Sequence, residues 1–290
     1  MTTSFAQAMA ERKLVILDGA MGTQLAARGG IQGALSNVRF PDVVKAVHAE
    51  YKAAGVDAVL TNTLTANRIY LEHAGMADEF EALNTLGVEL CREAVGDECW
   101  VLGDMTSTGA FLEPLGDYTE DQFHDAFSEQ ASLLARCGVD GIIIETMTDV
   151  REASIAVRAA AEASGLPVLV SIAFDPVADG FRTMMGDTIE KAAAELTAAG
   201  ANAIGANCGT LDPVEVSEVI ARMRALTDAA LLAEPNAGKP QMQGAEVRFN
   251  LGPEEFADGA AKCIEAGATL VGGCCGTSPA HIEALARRVR

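Results

Sequence analysis

Aromatic side chains are scarce in this sequence. They make up 5% of 290 residues, with a single tryptophan, although 49% of the chain is hydrophobic. A core on this scale must be built from Ala, Val, Leu and Ile, and the length suits one large α/β barrel or two smaller domains. Basic residues are few as well, 21 against 41 acidic ones, for a net charge of -20. Phosphate backbones and anionic membrane surfaces would be repelled, so neither a nucleic acid nor a membrane is an expected partner. The one local group of positive charges, Arg287, Arg288 and Arg290, complements the negative end of a final helix. No apolar run approaches the roughly 20 residues of a membrane helix, and residues 1–12 lack the apolar segment of a signal peptide. The seven cysteines, an odd number, do not make a secreted disulfide framework. The expected compartment is the reducing cytoplasm, where clustered cysteines point to metal binding or catalysis. Also missing are a G-x-G-x-x-G after the first strand, a P-loop and any Gly/Ser/Pro linker, which leaves a single domain over 1–290.

What is present is an alternation of short apolar runs with helical patterns. Strand-like runs fall at 14–17, 58–60, 100–102, 141–144, 167–174, 203–206, 231–233 and from 270 onward. Most are apolar throughout, as in strands buried on both faces. Helices are expected at 41–54, 78–94, 120–137, 150–163, 188–199, 213–227, from 253 and from 279, several started by Pro and stopped by Gly. Thr277 or Ser278 caps the last. Residues 175–186 and 239–252 read as long loops. Eight alternating units predict a parallel sheet with helices outside, closed as a (β/α)8 TIM barrel.

In such a barrel the chemistry sits at the C-terminal strand ends. Those ends read Asp18, Asn62, Asp104, Glu145, Asn207-Cys208, Asn236 and Cys274-Cys275. Cys208 ends the sixth run and Cys274 and Cys275 the eighth, only one strand apart. Three thiolates on a tetrahedral ion leave one position open, the pattern of a catalytic zinc. Cys91, Cys99, Cys137 and Cys263 lie on helices or ahead of a strand and read as ordinary core cysteines. His48, His73, His124 and His281 also fall on helices or their flanks, where surface roles are expected. Asp18, with Gly19 and Gly22, either bonds locally in a turn or belongs to the site. Glu145 follows three isoleucines and needs a partner, either a structural cation or a substrate ammonium. Asn236 either caps the turn before Gly238 or lends an oxygen to the metal.

Together, Asp18-Gly19-Ala20-Met21-Gly22-Thr23, Thr61-Asn62-Thr63, Asn207-Cys208, Glu234-Pro235-Asn236-Ala237-Gly238-Lys239-Pro240 and Gly272-Gly273-Cys274-Cys275-Gly276-Thr277 resemble the homocysteine S-methyltransferase family. That family includes betaine–homocysteine methyltransferase and the homocysteine module of cobalamin-dependent methionine synthase. The likeness runs in order over nearly the whole chain, and the Pro-Asn-Ala-Gly-Lys-Pro stretch leans towards the methionine-synthase branch. The resemblance implies zinc on Cys208, Cys274 and Cys275. It implies that Asp18, Gly19, Gly22 and Thr23 hold the amino-acid end of homocysteine, that Glu145 takes its ammonium, and that Asn236 matches a position able to fill the fourth zinc site. The implied reaction is transfer of a methyl group to the homocysteine thiolate, giving methionine.

Two loops depart from the family pattern. Thr106-Ser107 stands where Gly-Pro is frequent, and Met184-Met185 sits in the loop after the fifth run. The chain has no D-x-H-x-x-G corrinoid signature, so methyl-cobalamin would be carried by a separate corrinoid-binding protein, or the donor is a small molecule such as betaine, S-methylmethionine or a sulfonium compound. Two other readings use the same residues: a zinc methyltransferase that demethylates another substrate onto a corrinoid protein, and a non-catalytic zinc- or redox-responsive binding protein.

Overall fold

A computed structural model describes residues 3–244 and 246–290. Its eight parallel strands are β1 (Val15–Ile16), β2 (Ala58–Leu60), β3 (Trp100–Met105), β4 (Gly141–Met147), β5 (Val168–Ile172), β6 (Ala203–Asn207), β7 (Ala230–Glu234) and β8 (Leu270–Val271). Hydrogen-bonded neighbours follow the order β1-β8-β7-β6-β5-β4-β3-β2. The seam between β1 and β2 is closed by other bonds. Asp57 N donates to Ile16 O and Ile16 N to Asp57 Oδ2, each at 2.8 Å, while Leu60 N donates to Asp18 Oδ2 at 3.1 Å. A carboxylate thus replaces the missing ladder, and the sheet is a (β/α)8 barrel.

Successive strand residues point to opposite faces. Val15, Leu17, Ala58, Trp100, Leu102, Ile143, Leu169, Ala203, Leu232 and Leu270 pack together inside the barrel. Ile142, Ile144, Val168, Val170 and Ile204 belong instead to the larger cluster shared with the helices. The short helix Phe5–Ala10 closes the bottom, with Phe5 edge-on to Trp100 at 5.5 Å. Polar residues stand ahead of outer helices, as expected for Ser278 and not anticipated for Asp212. Asp212 accepts from Val214 N and Glu215 N, each at 3.0 Å, ahead of Pro213–Arg224. Ser278 precedes Pro279–Val289. No helix among the described residues is long and apolar enough to cross a membrane.

Three features depart from the sequence reading. The loops expected at 175–186 and 239–252 each contain a small antiparallel hairpin, Asp175–Val177 with Gly180–Arg182 and Gln241–Gln243 with Glu246–Arg248. Their strands are only three residues long, too short for periodicity to register. Short helices, Gly22–Ala27, Leu35–Arg39 and Arg68–His73, occupy the connections after β1 and β2. The histidines also divide. His48 is fully buried rather than on the surface, because it lies on the same helical face as Val44 and Tyr51. His281 is nearly buried too: its Nδ1 accepts from Ser278 N at 3.2 Å and its Nε2 lies 3.0 Å from Leu251 O.

Both ring nitrogens of His48 lack partners, and burial pulls its pKa from 6.5 down to about 4. The folded ring therefore holds its proton less tightly than the unfolded one. Stability is full above pH 6.5 and is lost as the pH falls, by about 3 kcal/mol once it reaches about 4. His48→Leu should remove that slope: urea midpoints of the variant, compared near pH 7 and near pH 4.5, should differ less than those of the parent chain.

Candidate active site

Cys208 directly follows β6, and Cys274 and Cys275 follow β8. Their three sulfurs lie within 4.8 Å of one another, with Cys208 Sγ 3.9 Å from Cys275 Sγ. Thiolates arranged tetrahedrally about zinc, with Zn–S bonds of about 2.3 Å, stand about 3.8 Å apart. The donor set fits such an ion in number, type and spacing. Its protonation chemistry points the same way. Hydrogen bonds from the Cys208 and Cys274 thiols pull Cys275 down to about 4. Contacts with Cys208 and Cys275, with burial, push Cys274 well up. At Cys208 a hydrogen bond with Cys274 acts to lower the pKa, but the contact with Cys275 and burial outweigh it and raise the thiol to about 12. Alone, the cluster supports one thiolate; three need a cation between them.

The loop that carries the pair is tied to the turn after β1. Thr277 Oγ1 accepts from Ala20 N at 3.0 Å and donates to Cys274 O at 2.8 Å. Tyr51 OH donates to Ala20 O at 2.9 Å. Packing is tight enough that a Cβ on Gly19 would come within 2.6 Å of Thr277 Oγ1, and one on Gly272 within 2.6 Å of Asp18 O. Gly19 and Gly272 are thus required by neighbouring side chain and backbone, which presses the β1 turn against the cysteine loop.

Beside the sulfurs lies a cavity of about 340 Å³. Asp18, Gly19, Gly22, Thr23, Glu145, Cys208, Cys274 and Cys275 line it, as do Asp104, Thr146, Glu234 and Tyr70. No Lys or Arg is among the described lining residues. Of its carboxyls, Asp18, Asp104 and Glu234 are buried and Glu145 is half-buried, and withdrawal from water raises the pKa of each. Glu145 rises to about 7, through burial first and the neighbouring Cys208 charge second. Asp104 Oδ1 and Glu234 Oε2 have no hydrogen-bond partner. Their inward direction follows from the two-residue strand period: Leu102 is below Asp104, Ile143 below Glu145, Leu169 below Ser171 and Leu232 below Glu234. The top layer of the barrel interior is polar where the layer beneath is apolar.

Asn236 is buried but lies outside this lining. Its Nδ2 donates to Gly209 O at 3.0 Å, while Oδ1 has no partner. Gly238 N donates to Asn236 O at 2.7 Å, so the turn is held by the backbone and the side-chain oxygen stays available. Asp18 lines the cavity, and its carboxylate also bridges the β1–β2 seam to Leu60 N, a long-range bond that was neither of the alternatives expected of it. Thr106-Ser107 proves to be an anchor. Thr106 Oγ1 donates to Glu145 O at 2.7 Å, and buried Glu152 accepts from Ser107 Oγ, Thr108 N and Thr108 Oγ1, each at 2.8 Å. Met184 and Met185 line a second cavity of about 220 Å³ with Phe111.

Asp104, Glu234, Thr146 and Asn207 are residues of the site that carried no assigned role in the sequence reading. Glu234 was legible by parity, two residues beyond interior Leu232. Thr146 was not. It has φ 60°, a left-handed conformation that is an outlier for a β-branched residue and costs about 1–3 kcal/mol. It is the extra residue of a bulge: Ile144 pairs with Val170 but Met147 with Ile172. Glu145 keeps the inward parity of Ile143, and the extra residue lets Thr146 face the cavity beside it. Cys208 is also left-handed, with φ 52°.

The homocysteine S-methyltransferase family model matches residues 15–289. The methionine synthases of Mycobacterium tuberculosis and Mycobacterium leprae are each 33% identical, over 300 and 309 residues that cover 96% and 99% of this chain. The chain spans 25% of the length of each of these relatives. Among solved structures, the homocysteine methyltransferase MmuM from Escherichia coli is similar in its metallated form, with a TM-score of 0.77 at 24% identity over 97% of this chain and 99% of that one. Its apo form gives 0.73 at 23% identity, over 97% of each chain. These likenesses show the same barrel. Since the family match runs from the first barrel strand to the last helix, the chain is a member of the homocysteine S-methyltransferase family.

Proposed function

We propose that this barrel binds homocysteine beside a zinc ion and directs a methyl group onto its sulfur, giving methionine. The observation that carries the reading is the meeting, in one cavity, of three convergent thiols and four carboxyls, three buried and one half-buried, with no Lys or Arg among the described lining residues. An amino acid bearing a thiol complements both halves. Cys208, Cys274 and Cys275 would hold the metal, and zinc, when bound, would keep a substrate thiol ionised at neutral pH.

The chain's own residues bind and orient. Glu145 takes the substrate ammonium, whose charge relieves the strain of a carboxylate in apolar surroundings. The turn Asp18–Thr23 receives the carboxylate end, with Gly19 and Gly22 leaving the approach open and the unpartnered Thr23 Oγ1 as a donor. Asn236 Oδ1 is the candidate for the fourth metal position before substrate arrives. No side chain is asked to form a covalent bond. The substrate sulfur gives its electron pair to the methyl carbon, and the donor departs with the pair from the broken bond.

The proposed donor is methyl-cobalamin carried by a separate corrinoid-binding protein, as in a split methionine synthase. Support comes from the likeness to one quarter of the mycobacterial methionine synthases and from the rim of the barrel. Nine of the eleven exposed large hydrophobics among the described residues lie on connections from a strand to the next helix, on the side where the cavity opens. Leu115, Met242 and Met184 are 72%, 71% and 67% exposed, more than a small donor would require.

Protein prepared without chelator should contain about one zinc per chain, and Cys208→Ser should lose both the metal and turnover. Retained turnover without zinc would sink the reading. Glu145→Gln should raise KM for homocysteine roughly tenfold or more, since it removes a charge-assisted bond. A donor screen with homocysteine should show transfer from a methylated corrinoid protein and little from betaine or S-methylmethionine. Methyl transfer that ignores homocysteine would instead identify a demethylase.

A further inference from the structure

We infer that Asn207 is a positioning residue for amine recognition, setting the orientation of Glu145 by locking the strained residue beside it. The inference rests on homocysteine binding as proposed above. Asn207 is 1% exposed and ends β6 directly before Cys208. Every polar atom of its side chain is engaged. Oδ1 accepts from Thr146 N at 2.9 Å and from Ser171 Oγ at 2.8 Å. Nδ2 donates to Glu145 Oε2 at 2.5 Å and to Thr146 Oγ1 at 2.8 Å, and lies 3.9 Å from Cys274 Sγ.

One amide thus grips Thr146 by both its backbone N–H and its hydroxyl. Thr146 is the left-handed bulge residue directly beside Glu145 at the cavity. A β-branched residue keeps such a conformation only where its surroundings over-determine it, and here the surroundings are Asn207. The same amide holds the Glu145 carboxylate directly; the Thr146 N–H and the Glu145 carboxylate fix which end of the amide faces which partner, and Ser171 Oγ adds a second donor to Oδ1. Asn207 touches no reacting atom in this arrangement. It acts through Glu145, and hence on the amine end of a substrate and not on its sulfur.

The experiment compares two thiols on the zinc-loaded protein by titration calorimetry. One is L-homocysteine; the other is 4-mercaptobutyrate, which keeps the thiol and carboxylate and lacks the amine. Asn207→Ala should weaken homocysteine roughly tenfold and 4-mercaptobutyrate hardly at all, with zinc content unchanged. Adding Thr146→Gly to Asn207→Ala should recover part of the loss, because glycine adopts the left-handed conformation without a clamp. Equal weakening of both thiols, or of neither, overturns the inference. If Asn207→Ala fails to retain zinc, Ser171→Ala decides by the same comparison, with a smaller loss confined to homocysteine expected. A parent protein that binds neither thiol would overturn the homocysteine reading instead, which keeps the two failures distinct.

Discussion

A closed barrel of parallel strands forces side chains of the same parity to face one another across its interior. That constraint shapes the rest of this molecule. In the lower layers the facing groups are Leu, Ile, Val and Ala, and the interior is filled. One step up, Asp104, Glu145, Ser171 and Glu234 occupy the same inward positions. Carboxyls brought together in low dielectric repel one another and lose their hydration. The barrel cannot relieve this by moving one strand, because each strand is bonded to two neighbours. The relief has to come from protonation or from a bound cation.

The sulfur cluster presents the same problem in a second form. Three thiols close enough to share protons cannot all ionise without a positive charge among them. The site is therefore short of positive charge twice over, once at the sulfurs and once at the carboxyls. In the function proposed, a divalent metal would answer the first shortage and a substrate ammonium the second. The backbone is fitted to this arrangement. Thr277 and Tyr51 hold the β1 turn against the cysteine loop, and the bulge sets Thr146 at the cavity beside Glu145.

Around this centre the connections are elaborated with short helices and two hairpins, and the exposed apolar side chains gather on them. Glu152 ties the connection after β3 to the helix after β4 through bonds to Ser107 and Thr108. The departure at Thr106-Ser107 thus has a structural reason: it anchors one wall of the cavity to the strand that carries Glu145. The opposite end of the barrel is closed by Phe5–Ala10.

The order of strands and helices was legible in the sequence, because buried parallel strands are apolar throughout and helices announce their starts with Pro, Ser, Thr or Asp. The candidate metal ligands were legible too, since Cys208, Cys274 and Cys275 fall at strand ends where other strand residues are apolar. Strand parity even marks Glu234. What the sequence could not convey is direction. A bulge adds a residue without changing composition, so nothing in Glu145-Thr146-Met147 announces the left-handed turn or its grip by Asn207 from two strands away. Nor did helix position alone reveal that His48 points inward while His73 stays exposed. The sequence by itself determined which chemical groups reach the open end of the barrel; the tertiary structure decided which way they face, because orientation depends on hydrogen bonds between residues more than sixty positions apart.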